Sequence, residues 1–281
     1  YRAIASSPDY LPAHIQLGEL LLRQDRVDVA VSKFDAVAGA FRVRGDVNGA
    51  INMWERVLEV SPLDVSTRAR IIDMLKRHGR IDRSLEHYLA LGEGYYQLAQ
   101  VDKARETYQE ALKLAPRGGA EQNWRAQLLR RIADIDMQRL DWKRALSAYR
   151  ELRKEDPTDE RTAITLVDLY FKMGQPSHAL RELDQYLQQL VGGGRGGKVI
   201  GILEDMNRRH PTQSGLAQRL ARLLLAQKRK DEAIEVLDQL GEAQLEAGEN
   251  EKAIATLEQI VRLGPSNTAS YRELLKQLRE S

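Results

Sequence analysis

The residues best placed to do chemistry in this 281-residue chain are a run of glycines with two cations, Gly192-Gly193-Gly194-Arg195-Gly196-Gly197-Lys198. Glycines leading to a lysine have most of the spacing of a phosphate loop, in which backbone N–H groups and the lysine cradle phosphate. The position for the magnesium-binding hydroxyl is Val199, and the run follows a helical pattern rather than a strand. Because it also keeps phase with turns at Gly45 and Gly248, it reads as a flexible inter-helix turn. None of His14, His78, His87, His178 and His210 has a histidine or carboxylate at a recognised metal-binding spacing, so they read as helix-surface or turn residues. There is no G-x-S-x-G elbow. With no cysteine, the chain has no disulfide framework, thiolate zinc site or cysteine nucleophile. The sequence therefore points to no catalytic residue, no cofactor and no metal.

Charge narrows the partners. Lysine plus arginine is 43 against 41 for aspartate plus glutamate, a net charge of +2. Basic clusters stand at Arg125, Arg130 and Arg131, at Arg139, Lys143 and Arg144, and at Lys228, Arg229 and Lys230. Nucleic-acid binding needs such charges to merge into one stripe, and Asp134, Asp136, Asp141 and Asp231 interrupt them. They read as solvated helix faces. No apolar run is long enough to span a membrane. The chain starts on Tyr1 and shows no leader; a cytoplasmic location is expected, with a leader lost before Tyr1 left open. An apolar fraction of 42% supports a buried core, and few prolines and phenylalanines beside abundant Leu, Ala, Glu, Arg and Gln favour helix.

The elements that position these residues show in a repeat. Pro8, Pro62, Pro116, Pro157, Pro211 and Pro265 are separated by 54, 54, 41, 54 and 54 residues. At one fixed phase stand Ala30, Ser84, Ala179 and Ala233, each followed at i+4 by Phe34, Tyr88, Leu183 or Leu237. At a later phase stand Ala50, Ala104, Val199 and Ala253, followed by Trp54, Tyr108, Leu203 and Leu257. A small residue with a large apolar one at i+4 is a helical contact pair. Gly45, Gly79, Gly174 and Gly248 mark helix ends between the pairs. Each long unit predicts three helices, and the short unit 117–157 predicts two, with the first longer. Trp54, Tyr88, Tyr108 and Tyr149 fall on packing positions. Trp124 and Trp142 lie outside the pattern, Trp142 being the better candidate for exposure.

Leu91-Gly92, Tyr95, Ala104, Tyr108, Ala111 and Pro116 resemble the tetratricopeptide repeat, a 34-residue helical hairpin. Leu240-Gly241, Ala253, Leu257, Ile260 and Pro265 keep the same spacing, as do Ile132-Ala133, Ala145, Tyr149, Leu152 and Pro157. In each long unit the small residues lie 20 apart rather than 34, so the middle helix carries two signatures and the repeats overlap. The expected fold is all-α: a right-handed α-solenoid of about 14–16 helices. Its expected organisation is one solenoid over 1–281, cut from a longer array, with sub-units 9–62, 63–116, 117–157, 158–211 and 212–265 and a helix at 267–281. Residues 1–7 would end a preceding third helix. The short unit predicts an altered helix crossing or groove direction.

What the resemblance implies is a non-enzymatic scaffold that holds a peptide or protein partner of unknown identity. The alternatives are an RNA-binding solenoid and a regulatory arm of a larger protein. The family's groove-lining positions fall on Asp73, Lys76 and Arg77; on Arg130, Asp134 and Gln138; on Asp168, Phe171 and Lys172; and on Gln218 and Arg222. One subclass clamps acidic C-termini with lysine and asparagine. No asparagine here falls in the first helix of a repeat, which argues against that clamp.

Overall fold

A computed structural model describes residues 9–280, so the expectation for residues 1–7 lies outside the described residues. Fifteen α-helices and three short 3-10 turns carry the fold, with no strand among the described residues. The fold is an all-α solenoid. The chain forms two compact units, one ending at Glu155 and one beginning at Asp156.

The first unit holds α1 (Leu11–Arg23), α2 (Val27–Val43), α3 (Val47–Val60), α4 (Val65–Arg77), α5 (Ile81–Gln97), α6 (Val101–Leu114), α7 (Trp124–Gln138) and α8 (Trp142–Glu155). The second holds α9 (Glu160–Lys172), α10 (Pro176–Gly192), α11 (Val199–Arg209), α12 (Ser214–Ala226), α13 (Lys230–Glu246), α14 (Asn250–Leu263) and α15 (Thr268–Glu280). Within each unit every helix packs on the next in sequence. This local stacking is what a repeat fold requires, since no single hairpin can bury its apolar face alone.

The helices follow from their residues. In α3, Ala50, Ile51, Trp54, Val57 and Leu58 form one buried face. Its first turn is capped by Asp46, whose side chain accepts a hydrogen bond from the Gly49 N–H. Asp64 does the same for α4 through the Ser66 and Thr67 N–H groups. Although burial pushes the Asp64 carboxyl up, the hydrogen bonds from Thr67 and Ser66 win and hold it below the usual carboxylate range. The middle helices α2, α5, α10 and α13 are each 17 residues long. Close approach depends on glycine: a Cβ at Gly92 would lie 2.3 Å from the Tyr108 ring, and one at Gly18 2.5 Å from Phe34. Burying rings of this size contributes roughly 2 kcal/mol each or more.

The helix-ending turns adopt left-handed backbone at Gly45, Gly79, Gly174 and Gly248, as the sequence suggests, but equally at Asp25, Ala99, Leu140 and Lys228. Side chains at those four positions oppose a conformation that glycine adopts freely. The connection after α6 is held by Asp82, which accepts from the Gly119 N–H and from Trp124 Nε1, each at 2.7 Å. Those two donors hold its carboxyl below the usual range. Trp124 is buried and Trp142 half-buried. His87 departs from the surface reading: its side chain is 13% exposed, and Nε2 lies 3.4 Å from Glu55 Oε1. Burial pushes its pKa down against the opposing pull of Glu55.

Candidate interaction site

Two of the expected groove residues share a cleft in the first unit. Arg42 and Gly45 from the end of α2, Val47 and Trp54 from α3, and Arg70, Asp73, Met74, Arg77 and His78 from α4 line a space of about 350 Å³. The 3.6-residue period sets this lining: Arg70, Asp73, Met74 and Arg77 recur at i, i+3, i+4 and i+7 on one face of α4, while Ile71 and Leu75 are buried in the core. Trp54 is only 4% exposed and packs with Ala38, Ala50, Ile71 and Leu75.

Two of the cleft's three arginines, Arg70 and Arg77, are paired. Asp35 of α2 accepts from Trp54 Nε1 at 3.0 Å and from Arg70 at 2.5 Å, tying three consecutive helices together. Asp73 pairs with Arg77 at 2.8 Å, one turn further along α4. His78 Nδ1 lies 2.8 Å from the Met74 carbonyl, which can only accept, so Nδ1 donates. Arg42 is exposed and has no ion-pair partner among the described residues. Neither Arg42 nor Trp54 was among the groove positions that the family resemblance implies, and no repeat signal marks Arg42, whose counterparts in the other long units are Tyr96, Val191 and Leu245. Lys76, in contrast, leaves this cluster. Its Nζ donates to the Tyr88 hydroxyl at 3.2 Å and sits 5.6 Å from that ring's centre.

The other expected positions are spread over further helices. On α7, Arg130 and Gln138 are exposed and Asp134 half-buried. The Gln138 Oε1 accepts from the Tyr96 hydroxyl. In the second unit Asp168 accepts from His210 Nε2 at 2.7 Å and from Arg209 at 3.1 Å. The His210 ring lies against Phe171 with centres 4.6 Å apart. Asp168 and Phe171, neighbours on α9, are thus both contacted by His210, which reads from sequence as a helix-surface or turn residue. Lys172, Gln218 and Arg222 are exposed on α9 and α12. Among the described residues no group of three or more His, Asp or Glu is placed to hold a metal ion. No helix among them is long and apolar enough to cross a membrane.

Three family models described as tetratricopeptide repeat match residues 136–192 and 190–244, residues 86–117, and residues 235–265. Together they cover more than half of the chain. No curated protein matches it. Among solved structures, the chain is similar to the MamA protein, at 17% identity and a TM-score of 0.34, over 59% of this chain and 94% of that one. It is also similar to YrrB, described as a TPR protein with an unusual peptide-binding site, at 18% identity and a TM-score of 0.34, over 66% and 90%. A third is a chain of the APC/C hetero-tetramer Cut9-Hcn1, at 14% identity and a TM-score of 0.31, over 66% and 41%.

Proposed function

The chain belongs to the tetratricopeptide repeat family, and from that premise we propose that it acts without catalysis, as a scaffold holding a peptide or protein partner on its helix faces. One observation carries the reading. Lys76, Arg77, Arg130, Gln138, Lys172, Gln218 and Arg222 stand exposed on helices whose opposite faces are buried. A stack of hairpins is stabilised by contacts between neighbouring helices, so polar side chains outside those contacts are left available to a ligand. The site on this reading comprises the expected set Asp73, Lys76, Arg77, Arg130, Asp134, Gln138, Asp168, Phe171, Lys172, Gln218 and Arg222.

The basic clusters support a protein partner over a nucleic acid. Arg125 is paired with Glu151 and Glu155, Arg139 with Asp102, Arg144 with Asp141 and Arg229 with Glu232. Lys230 donates to the Gly264 carbonyl. Cations so paired release few counterions on meeting phosphates. The test is affinity capture with the whole chain and with Arg77→Glu, Arg130→Glu and Lys172→Glu. Loss of captured proteins in at least one variant is expected. Full retention in all three would overturn the groove assignment, and capture of single-stranded RNA instead of protein would overturn the scaffold.

A further inference from the structure

We infer that α11 is a release joint of the second unit: it leaves the stack by local unfolding while α9–α10 and α12–α15 stay folded. This goes beyond the scaffold reading and does not depend on it.

Four features set α11 apart from α3, α6 and α14, its counterparts in the other long units. The first is where it starts. Residues 196–198 form a 3-10 turn, whereas at the matching points α3, α6 and α14 have already begun, at Val47, Val101 and Asn250. Gly196 and Gly197 oppose a helix there, because glycine has the most backbone freedom to lose. The helix is thereby cut to 11 residues, the shortest among those described. Gly194 meets a need for left-handed backbone. Gly197 has open space where a Cβ would stand, so packing does not call for it. The second feature is the approach to α10. Ala50, Ala104 and Ala253 are fully buried and let α3, α6 and α14 lie along the helix before them. The larger Val199 takes that place in α11, half-buried, and the backbone of α11 comes near that of α10 at few points.

The third feature lies in the core. Where the repeat places Leu58, Leu112 and Val261, α11 has Asn207. This side chain is 9% exposed, and its Oδ1 is buried with no hydrogen-bond partner among the described residues. An acceptor cut off from water without a partner weighs against the packed state, and opening α11 hydrates it. The fourth is the side toward α9. A space of about 810 Å³ lies between the two helices, with Ile164 and Ile202 among its walls. What spans it is polar: Lys198 Nζ lies 3.6 Å from Glu160, and Asp168 holds Arg209 and His210. The Lys198–Glu160 pair is about half exposed and therefore weak.

Leu203 and Met206, both buried, hold α11 in the closed state. Its neighbours are secured without it, since α9 lies along α10 and α12 along α13 more extensively than α10 or α12 meets α11. A helix of 11 residues is not stable alone in water, so release and unfolding are one event. Release leaves two folded blocks joined by a slack segment, and low-stability elements of this kind are where folded proteins change shape.

The experiment is native-state hydrogen exchange of the whole chain, read by NMR at single amides over a range of low urea concentrations. The Leu203 and Met206 amides should exchange ~10-fold or more faster than those of Leu257 and Ile260, which hold the matching places in α14. Their exchange should depend less on urea, the mark of an opening that exposes little surface. Asn207→Leu, which removes the orphaned acceptor, should slow exchange in α11 ~10-fold. Gly196→Ala combined with Gly197→Ala should slow it by a similar ~10-fold through helix propensity alone, without altering the core. Thr256→Val removes the buried bond from Thr256 to Gln244; it should speed exchange in α14 and leave α11 unchanged. Protection of α11 equal to that of α14, equal urea dependence in the two, no slowing in Asn207→Leu and in the glycine pair, or an α11 that follows α14 in Thr256→Val would overturn the proposal.

Discussion

The region of α1 to α4 and that of α9 to α12 are two editions of one frame. The step in sequence that carries Pro8 to Pro157 carries Asp35 to Asp184 and Arg70 to Arg219. Both pairs form: Asp35 with Arg70, and Asp184 with Arg219 at 2.7 Å through two donors. The same step carries Glu19 to Asp168. Glu19 is held by Arg56 at 2.6 Å, and Asp168 by His210 at 2.7 Å and by Arg209. The lateral ties between alternate helices are therefore properties of the repeat. The cleft chemistry is not. Where the first region has Arg42, Trp54 and Arg77, the second has Val191, Leu203 and Ala226. A frame set by packing repeats, and side chains outside the packing are free to differ between copies.

Importing residues from one region into the other breaks or sharpens this comparison. The largest effect is expected for Trp54→Leu, which gives the first region the second's residue. The indole is 4% exposed, so its loss leaves a cavity and should cost about 2–4 kcal/mol in denaturant unfolding. Tolerance of leucine there, as at Leu203, would show that the two cores are interchangeable. Next come the positioning carboxylates. Asp35→Ala orphans a buried indole N–H as well as Arg70, and should cost ~1–3 kcal/mol. Asp184→Ala should cost less, ~1 kcal/mol, because Arg219 keeps its bond to the Gly215 carbonyl. Equal losses would mean that the indole bond contributes nothing.

The third effect is a pH dependence. Hydrogen bonding to Arg56 holds the Glu19 carboxyl below its ordinary value of 4.5, despite opposition from burial. A carboxyl lowered by folding adds stability above its unfolded pKa and loses it as pH falls through the folded one. The acid limb below about pH 4.5 should therefore be shallower in Glu19→Gln. With both partners about a third exposed, the effect should stay within ~1 kcal/mol. An unchanged limb would remove Glu19 from the comparison. The smallest effect on stability is expected for Val191→Arg, which places the cleft's arginine at the matching point of the second unit. Val191 is 61% exposed, so stability should stay within ~0.5 kcal/mol of the parent.

Much of this was legible in the residues. The evenly spaced prolines, the small-to-large pairs at i+4 and the turn glycines announced an all-helical repeat, because those features act within one helix or one turn. The aromatic packing positions Trp54, Tyr88, Tyr108 and Tyr149 are all buried for the same reason. The non-glycine turns at Asp25, Ala99, Leu140 and Lys228 were not legible, since a left-handed residue there is imposed by the packing of the helices on either side. His210 and Arg42 were missed as well: the first reads from sequence as a helix-surface or turn residue, and the second belongs to none of the basic clusters or groove positions.

Local sequence by itself determined helix, turn and repeat, since hydrophobic periodicity and backbone preference operate over a few residues. Tertiary structure alone decided which charges meet: Asp35 with Arg70, Asp168 with His210, and three arginines on one cleft. Those partners lie on alternate helices some 35 to 42 residues apart, and their approach depends on how closely the helix between them packs. A spacing in sequence does not contain that distance.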